Sequence, residues 1–538
     1  MNTDFYKLVR AVQYVYVRPR GREHLHEFFR NSIRCRGQLD FPSPVRFLDL
    51  FEVYDARNYP EDRDRTRLWK SRQVLRELGR ELKSMPHLKT LGLNYLDLDK
   101  SIMIAFAGSS IKNLRVRGDF IIHDEEDSAF WEMSNIAKME WPLETLEAQG
   151  RIFYKGGGRW ECVRDLLWMC RKTLQRFACI ELLTTDTGVS LLPKDEDSND
   201  VSKIFAFTMP EMGAFQLPKL RQLYCLRYGK QDLCLDAMLL NLNLWAKAAP
   251  NLEFISCEGG TQTLSGDQLE DLPDLAHIPS LRGIRSQLST IEPFLKNNPQ
   301  ITIYDAHTAW HMYDQYMCPD LSRLCAGKLF NNLTSLSLEL DGSYSRETLG
   351  YVAQLPLLEQ LLLDGDHWNI DHDEVLAMLQ PLGNLRCLAF MRDIYIKSWT
   401  HSTFSCKEDG DELEADYWKP ISLTPSKEEI DHLRLDLNIM ELAEISDKVH
   451  HHRMQLIAER YAVTFSKLEW IFVGCHPFAN SNGVIRSLSK RRVLGDELME
   501  HVSGVIKHDR IFRPLEEDKF YGSPESYKGK IPPNCTVM

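Results

Sequence analysis

Few side chains in this sequence have a type and spacing that could do chemistry. The chain ends Cys535-Thr536-Val537-Met538, a C-a-a-X box in which the Cys535 thiolate is the nucleophile for a prenyl thioether. Met at the last position favours farnesyl, but only Lys528 and Lys530 supply positive charge upstream, and a single lipid holds a membrane weakly. His450, His451 and His452 form a histidine run. Consecutive helix positions point about 100° apart, so the three cannot converge on one ion, and a solvated helix face is expected. Cys162, Cys170 and Cys179 stand eight and nine apart, and no pair of the 13 cysteines has C-x-x-C spacing. Packed, reduced thiols are the expectation. The glycine run in Tyr154–Trp160 lacks the G-K-[ST] end of a phosphate loop and reads as a turn before a helix at 161–170. Arg486–Arg492 (RSLSKRR) is either a nuclear-localisation cluster, with Ser487 or Ser489 open to phosphorylation beside it, or a solvated turn. Nucleophile elbows, EF-hand loops and kinase signatures do not occur. The expectation is no enzyme, no cofactor and no metal.

The whole chain sets further bounds. Over 538 residues the formal net charge is −12, which argues against broad binding to phosphate backbones, so no nucleic-acid partner is expected. No apolar run approaches the ~18 residues of a membrane span. The first residues are interrupted by Lys7, Arg10, Gln13 and Arg18, unlike a secretory leader. A cytoplasmic monomer follows, with nuclear or partly membrane-associated placement left open.

What must position any functional side chain is a recurring phrase, L-x-x-L-x-L, often preceded by proline. It occurs as MPHLKTLGL (Met85–Leu93), WPLETLEA (Trp141–Ala148), LPKLRQLYC (Leu217–Cys225) and LPLLEQLLL (Leu355–Leu363). Copies begin at Leu88, Ile111, Leu143, Leu174, Leu220, Leu252, Leu281, Ile301, Leu333, Leu358, Leu385 and Leu468. Most spacings fall between 20 and 32, while 46 and 83 require insertions. Ala11–Val17 and Pro44–Leu50 fit more loosely. Within the phrase the fourth and sixth positions alternate with polar residues, the pattern of a half-buried strand. Proline stops the preceding helix and biases its neighbour toward extended backbone. Between phrases lie helical faces, such as Leu68, Leu75, Leu78 and Leu82.

The expected fold is α/β: an irregular leucine-rich-repeat solenoid with short parallel strands on its concave face and helices on its convex face. An ordinary parallel α/β sheet is the alternative. The solenoid is expected over 1–400 with an acidic loop at 184–200, and an acidic and helical insertion over 401–464. There Thr424 or Ser426 caps a helix whose first turn holds Glu428 and Glu429. A last repeat strand follows in 465–483, then a polar, partly disordered tail over 484–538.

These phrases resemble the leucine-rich-repeat region of filamentous-fungal F-box proteins, over about Ala11 to Phe478. Cysteine at the sixth phrase position (Cys179, Cys225, Cys257) adds to the likeness. The resemblance implies a scaffold whose repeats capture a substrate for a ubiquitin ligase, while an N-terminal F-box docks the ligase adaptor. No Leu-Pro-x-Glu-Ile/Leu opening precedes the first phrase here, so direct adaptor docking is not expected of this chain.

Function is therefore expected to be non-enzymatic protein binding on the concave face. Residues flanking the strand leucines would carry it: Arg115, Arg117, Tyr224, Arg227, Phe254, Glu258, Arg392, Trp470 and Phe472. Exposed arginine and aromatic side chains are the types that make binding hot spots. The alternatives are an enzyme with an unrecognised site in the concave face or insertion, and a membrane-associated adaptor prenylated at Cys535.

Overall fold

The computed structural model describes residues 16–17, 27, 45–50, 74–93, 96–116, 120–122, 135, 139–148, 152–154, 159–180, 208–209, 213–226, 235–257, 275–288, 291–306, 314–340, 346–365, 372–390, 425–436, 440, 442–473, 476–481 and 483–487. They fall into two compact units that divide at residue 300. The division lies inside the segment expected as one array.

Unit 1 holds β1 (Tyr16–Val17), β2 (Phe47–Asp49), β3 (Thr90–Leu93), β4 (Leu96–Leu98), β5 (Asn113–Val116), β6 (Phe120–Ile122) and β7 (Thr145–Ala148). It continues with β8 (Ile152–Tyr154), β9 (Arg176–Ile180), β10 (Thr208–Met209), β11 (Gly213–Ala214), β12 (Gln222–Leu226), β13 (Phe254–Cys257) and β14 (Gly283–Ser286). Its helices are α1 (Lys100–Ala107), α2 (Arg159–Cys170), α3 (Leu235–Ala248) and α4 (Glu292–Lys296), with a further helical stretch at 74–81. The phrase strands pair in parallel in the order β1-β2-β3-β5-β7-β9-β12-β13-β14. Even the two loosest phrases, at β1 and β2, join the sheet.

Register explains why short strands suffice. Leu91, Leu114, Leu146, Phe177, Leu223, Ile255 and Ile284 stand opposite one another on successive strands, all buried. No strand buries much area alone, but each apolar side chain is sandwiched between copies of itself. The sixth-position cysteines behave alike: Cys179, Cys225 and Cys257 are register partners in the core. Helices cover this apolar side, since Phe177 on β9 meets Trp245 of α3 with ring centroids 5.8 Å apart.

The chain reaches each strand through a repeated backbone device. The carbonyl of the second phrase residue accepts two N–H groups from the next repeat: Lys89 O takes Lys112 N and Asn113 N at 2.8 and 2.9 Å. The same pair of bonds recurs from Arg46, Lys112, Glu144, Gln175, Arg221 and Glu253 in unit 1, and from Thr302, Thr334, Glu359 and Arg386 in unit 2. Side chains just before the phrase reach back as well, Asn251 Nδ2 donating to Pro218 O at 2.8 Å and Asn384 Nδ2 to Pro356 O at 3.1 Å. Proline has no N–H to offer, so its carbonyl is the group left to bind, and these side chains use it.

Unit 2 contains β15 (Ile303–Ala306), β16 (Ser335–Leu340), β17 (Gln360–Gly365), β18 (Cys387–Phe390), β19 (Trp470–Val473), β20 (His476–Ser481) and β21 (Val484–Ser487). Its helices are α5 (Asp314–Ala326), α6 (Arg346–Val352), α7 (His372–Leu379), α8 (Lys427–Leu433) and α9 (Leu442–Thr464). β15 to β19 pair in parallel, with β18 and β19 in direct register although the phrases at Leu385 and Leu468 lie 83 residues apart. The insertion folds as a helical hairpin, α8 then α9. Ser426 caps α8 with a full capping box: its Oγ accepts from Glu429 N at 3.1 Å and its N donates to Glu429 Oε2 at 2.8 Å.

Two expectations need correcting, and one sheet was not foreseen. β19 is followed by the antiparallel strands β20 and β21, so the sheet runs to Ser487 and takes in the start of the segment expected as a tail. β4, β6 and β8 form a separate three-stranded parallel sheet that the repeat phrase did not announce. The histidine run is not a solvated face: His450 is buried, because consecutive positions of α9 turn in different directions and Val449 and His450 face inward.

Candidate functional site: the open sheet face

In each unit the third and fifth phrase positions point away from the leucine core, and adjacent strands stand about 4.8 Å apart, so these side chains form rows. In unit 1 the fifth-position row runs Gly92, Arg115, Glu147, Ala178, Tyr224, Ser256, Arg285, of which Arg115 and Glu147 keep partial exposure and the others are buried, so the face is open chiefly at its third positions on β3 to β12. The third-position row runs Thr90, Asn113, Thr145, Arg176, Gln222, Phe254, Gly283, and Asn113 Nδ2 donates to Thr90 Oγ1 at 3.1 Å.

Glu147 is the electrostatic centre of this face. Its Oε2 lies 3.3 Å from Arg115 Nε and its Oε1 2.8 Å from Arg176 Nη2. Two guanidinium groups on flanking strands thus share one carboxylate. Arg176 then places its Cζ 4.7 Å from the centroid of the Tyr224 ring, which lies 5.3 Å from that of Phe254. A planar cation over an electron-rich face and a tilted aromatic pair are both favourable, so the cluster is tied together by contacts running across five strands.

In unit 2 the corresponding rows are Ile303, Ser335, Gln360, Cys387, Trp470 and Asp305, Ser337, Leu362, Ala389, Phe472. Asp305, Ser335 and Ser337 on β15 and β16 give way to an apolar cluster on β17 to β19: Leu362, Cys387, Trp470, Ala389 and Phe472 pack together.

Of the residues expected from the sequence, Arg115 sits partly exposed in the charged cluster, and Trp470 is half-buried in the apolar one. Tyr224 and Phe254 are not open to solvent, each being 1% exposed, and Phe472 is 6% exposed. Their contacts with Arg176, one another and Ala389 contribute to that burial. Arg117, Arg227, Glu258, Arg392 and Cys535 lie outside the described residues. Glu147, Arg176, Leu362 and Ala389 were missed. The signal for them was present, since each occupies the third or fifth place of its own phrase.

An open groove of ≈ 580 Å³ lies between α8 and α9, lined by His432, Lys448, His451, His452, Gln455 and Glu459 among others. The rings of His432 and His452 stand 4.7 Å apart by centroid. Glu429 ties the two helices, accepting from Arg453 Nε at 2.7 Å and Nη2 at 3.0 Å. The Arg453 guanidinium, with the Ser426 N–H, outweighs burial and holds the Glu429 carboxyl at about 2. In unit 1, Asp99 caps α1, accepting from Ile102 N at 2.9 Å. Burial raises its carboxyl, but hydrogen bonds from Ser101, Ile102 and Arg76 win and leave it below its ordinary value. Among the described residues no three His, Cys, Asp or Glu side chains are grouped to hold a metal ion, and no helix is long and apolar enough to cross a membrane.

No protein-family model matches the sequence, and no curated protein does. Solved structures similar to this chain include the Rad7 and Elc1 complex in yeast, with TM-score 0.34 and 15% identity over 72% of this chain and 88% of that one. The complex of TLR13 with ssRNA13 gives TM-score 0.26 and 15% identity over 57% of this chain and 43% of that one. Likenesses this distant carry no argument, and the assignment stands on strand order and register: the chain has a leucine-rich-repeat-like α/β fold.

Proposed function

We propose that the chain is a non-enzymatic protein-binding scaffold whose partner lies on the open sheet face. One observation carries this reading: register aligns the third and fifth phrase positions into rows, which group Arg115, Arg176, Tyr224 and Phe254 in unit 1 and set Trp470 beside Cys387 in unit 2. Of these, Arg115, Arg176 and Trp470 keep exposed surface and are of the types in which binding energy concentrates, while the buried Tyr224 and Phe254 support them from beneath. A finer reading follows from the resemblance to fungal F-box proteins, supported by the register-matched cysteines: the repeats act as the substrate-recognition part of a ubiquitin-ligase receptor. In this reading the chain works in the cytoplasm as a monomer, without cofactor. Farnesylation of Cys535 would add weak membrane association.

The test compares bulky or charged substitutions on the sheet face of each unit with one on a helix. Thr90→Trp and Gln360→Arg, both on the open face, should abolish co-purification of the native partner. Ile104→Arg, on the exposed side of α1, should not. Loss through Ile104→Arg alone would refute the face assignment.

A further inference from the structure

The residues at the second phrase position lie in one row at the strand-start edge, as the backbone bonds between them require. In unit 1 that row is Arg46, Lys89, Lys112, Glu144, Gln175, Arg221, Glu253, Arg282: five cations against two carboxylates. Both carboxylates are engaged within the row. Glu144 pairs with Lys112, and Glu253 lies 3.4 Å from Arg221 Nη1. Lys89 and Arg282 face no carboxylate among the described residues, and both are exposed.

The excess is not a property of the fold. The equivalent row in unit 2 is Thr302, Thr334, Glu359, Arg386, Glu469, with one cation between two acids. Nor is it a property of the composition, since the chain as a whole carries −12. Like charges on neighbouring strands repel, and Lys89, just before β3, stands in the row between Arg46, just before β2, and Lys112, just before β5, with no acid beside it. An anionic partner would relieve that repulsion.

We propose that this edge of unit 1 docks an extended acidic segment of a partner protein, running across the strand starts. The proposal rests on the protein-binding reading and specifies its partner. An acidic peptide is favoured over a nucleic acid because the surrounding field of the chain is negative and repels a polyanion of phosphate density, while a segment of spaced carboxylates can sit on the row alone. The row crosses eight strands, about 34 Å at ~4.8 Å per step, which an extended peptide of about ten residues spans.

The experiment uses the full chain and a fluorescein-labelled peptide of about ten residues, alternating Glu and Ser, followed by anisotropy at several salt concentrations. Binding should weaken steeply with salt, because exposed charges more than ~8–10 Å apart are screened at physiological ionic strength. The double variant Lys89→Glu, Arg282→Glu should weaken it about tenfold or more, and Lys89→Gln, Arg282→Gln by a smaller factor. Lys247→Glu, on the exposed side of α3, should leave it unchanged. No peptide binding, equal weakening by Lys247→Glu, or tighter binding of an oligothymidylate of equal charge would overturn the proposal. If the native partner responds to Thr90→Trp and Gln360→Arg but not to the charge reversals, the sheet-face reading stands and this inference alone falls.

Discussion

Arg386 holds Glu469 across 83 residues of sequence, its Nη2 and Nε donating to one carboxylate oxygen at 2.6 and 2.9 Å. The same guanidinium lies 3.7 Å from Glu359 on the other side, so one arginine braces three consecutive strands at their starts. The pair is exposed, and its energy is small. Arg386→Ala should cost below about 1 kcal/mol, the range of surface ion pairs, and most of that should vanish in high salt. Urea unfolding with and without added salt checks it.

Core truncation should cost far more. Leu361 is 2% exposed and stands between Leu336 and Leu388 in register. Leu361→Ala should destabilise unit 2 by about 2–5 kcal/mol. Its neighbour Gln360 points to the open face, and Gln360→Ala should stay within about 0.5 kcal/mol. Hydrogen exchange of β16 to β18 separates the two, and equal effects would contradict the assigned faces.

How much of this was legible in the sequence follows from the same strands. The phrase places Leu91, Leu223 and Leu361 in strands because its period-two alternation is local, and Ser426 reads as a cap because its partner Glu429 is three residues away. The burial of Tyr224 was not legible, since it depends on Arg176, which lies 48 residues earlier and reaches it only through strand pairing. β4 and β8 were hidden because Leu96–Leu98 and Ile152–Tyr154 follow a phrase strand after a few residues with no proline between. The β20–β21 hairpin, by contrast, carried an Asn482-Gly483 turn signal that the repeat-based reading passed over. Gly483 indeed has φ +83°, a conformation that costs glycine little.

Acid should open the insertion hairpin. The Glu429 carboxyl is held at about 2, below its ordinary 4.5, so the folded form binds fewer protons than the unfolded one. Its stabilisation is complete above about pH 4.5 and is lost as pH falls toward 2. Exchange protection of α8 should fall across that window, and Glu429→Gln should flatten the response. An unchanged acid profile in Glu429→Gln would remove the Arg453 pairing from the account.

Thiol reactivity should follow burial. Cys162, Cys170, Cys179, Cys225 and Cys257 are buried, and burial pushes the Cys170 thiol far up, so little thiolate exists to react. Cys325 is less enclosed, though burial raises it too, and Cys387 is partly exposed on the open face. Among these, brief alkylation of the native chain should mark Cys387 first and the core thiols only after denaturation. Peptide mapping that finds Cys179 or Cys225 modified early would mean that the core opens.

The central claim is that partners meet the open sheet face, and site-specific photo-crosslinking tests it most directly. A benzophenone amino acid placed at Thr90 or Gln360 in the native cell should yield partner adducts, while the same probe at Ile104 or Val463, exposed on α1 and α9, should yield none. Adducts from the helix positions with none from the sheet positions would contradict the account.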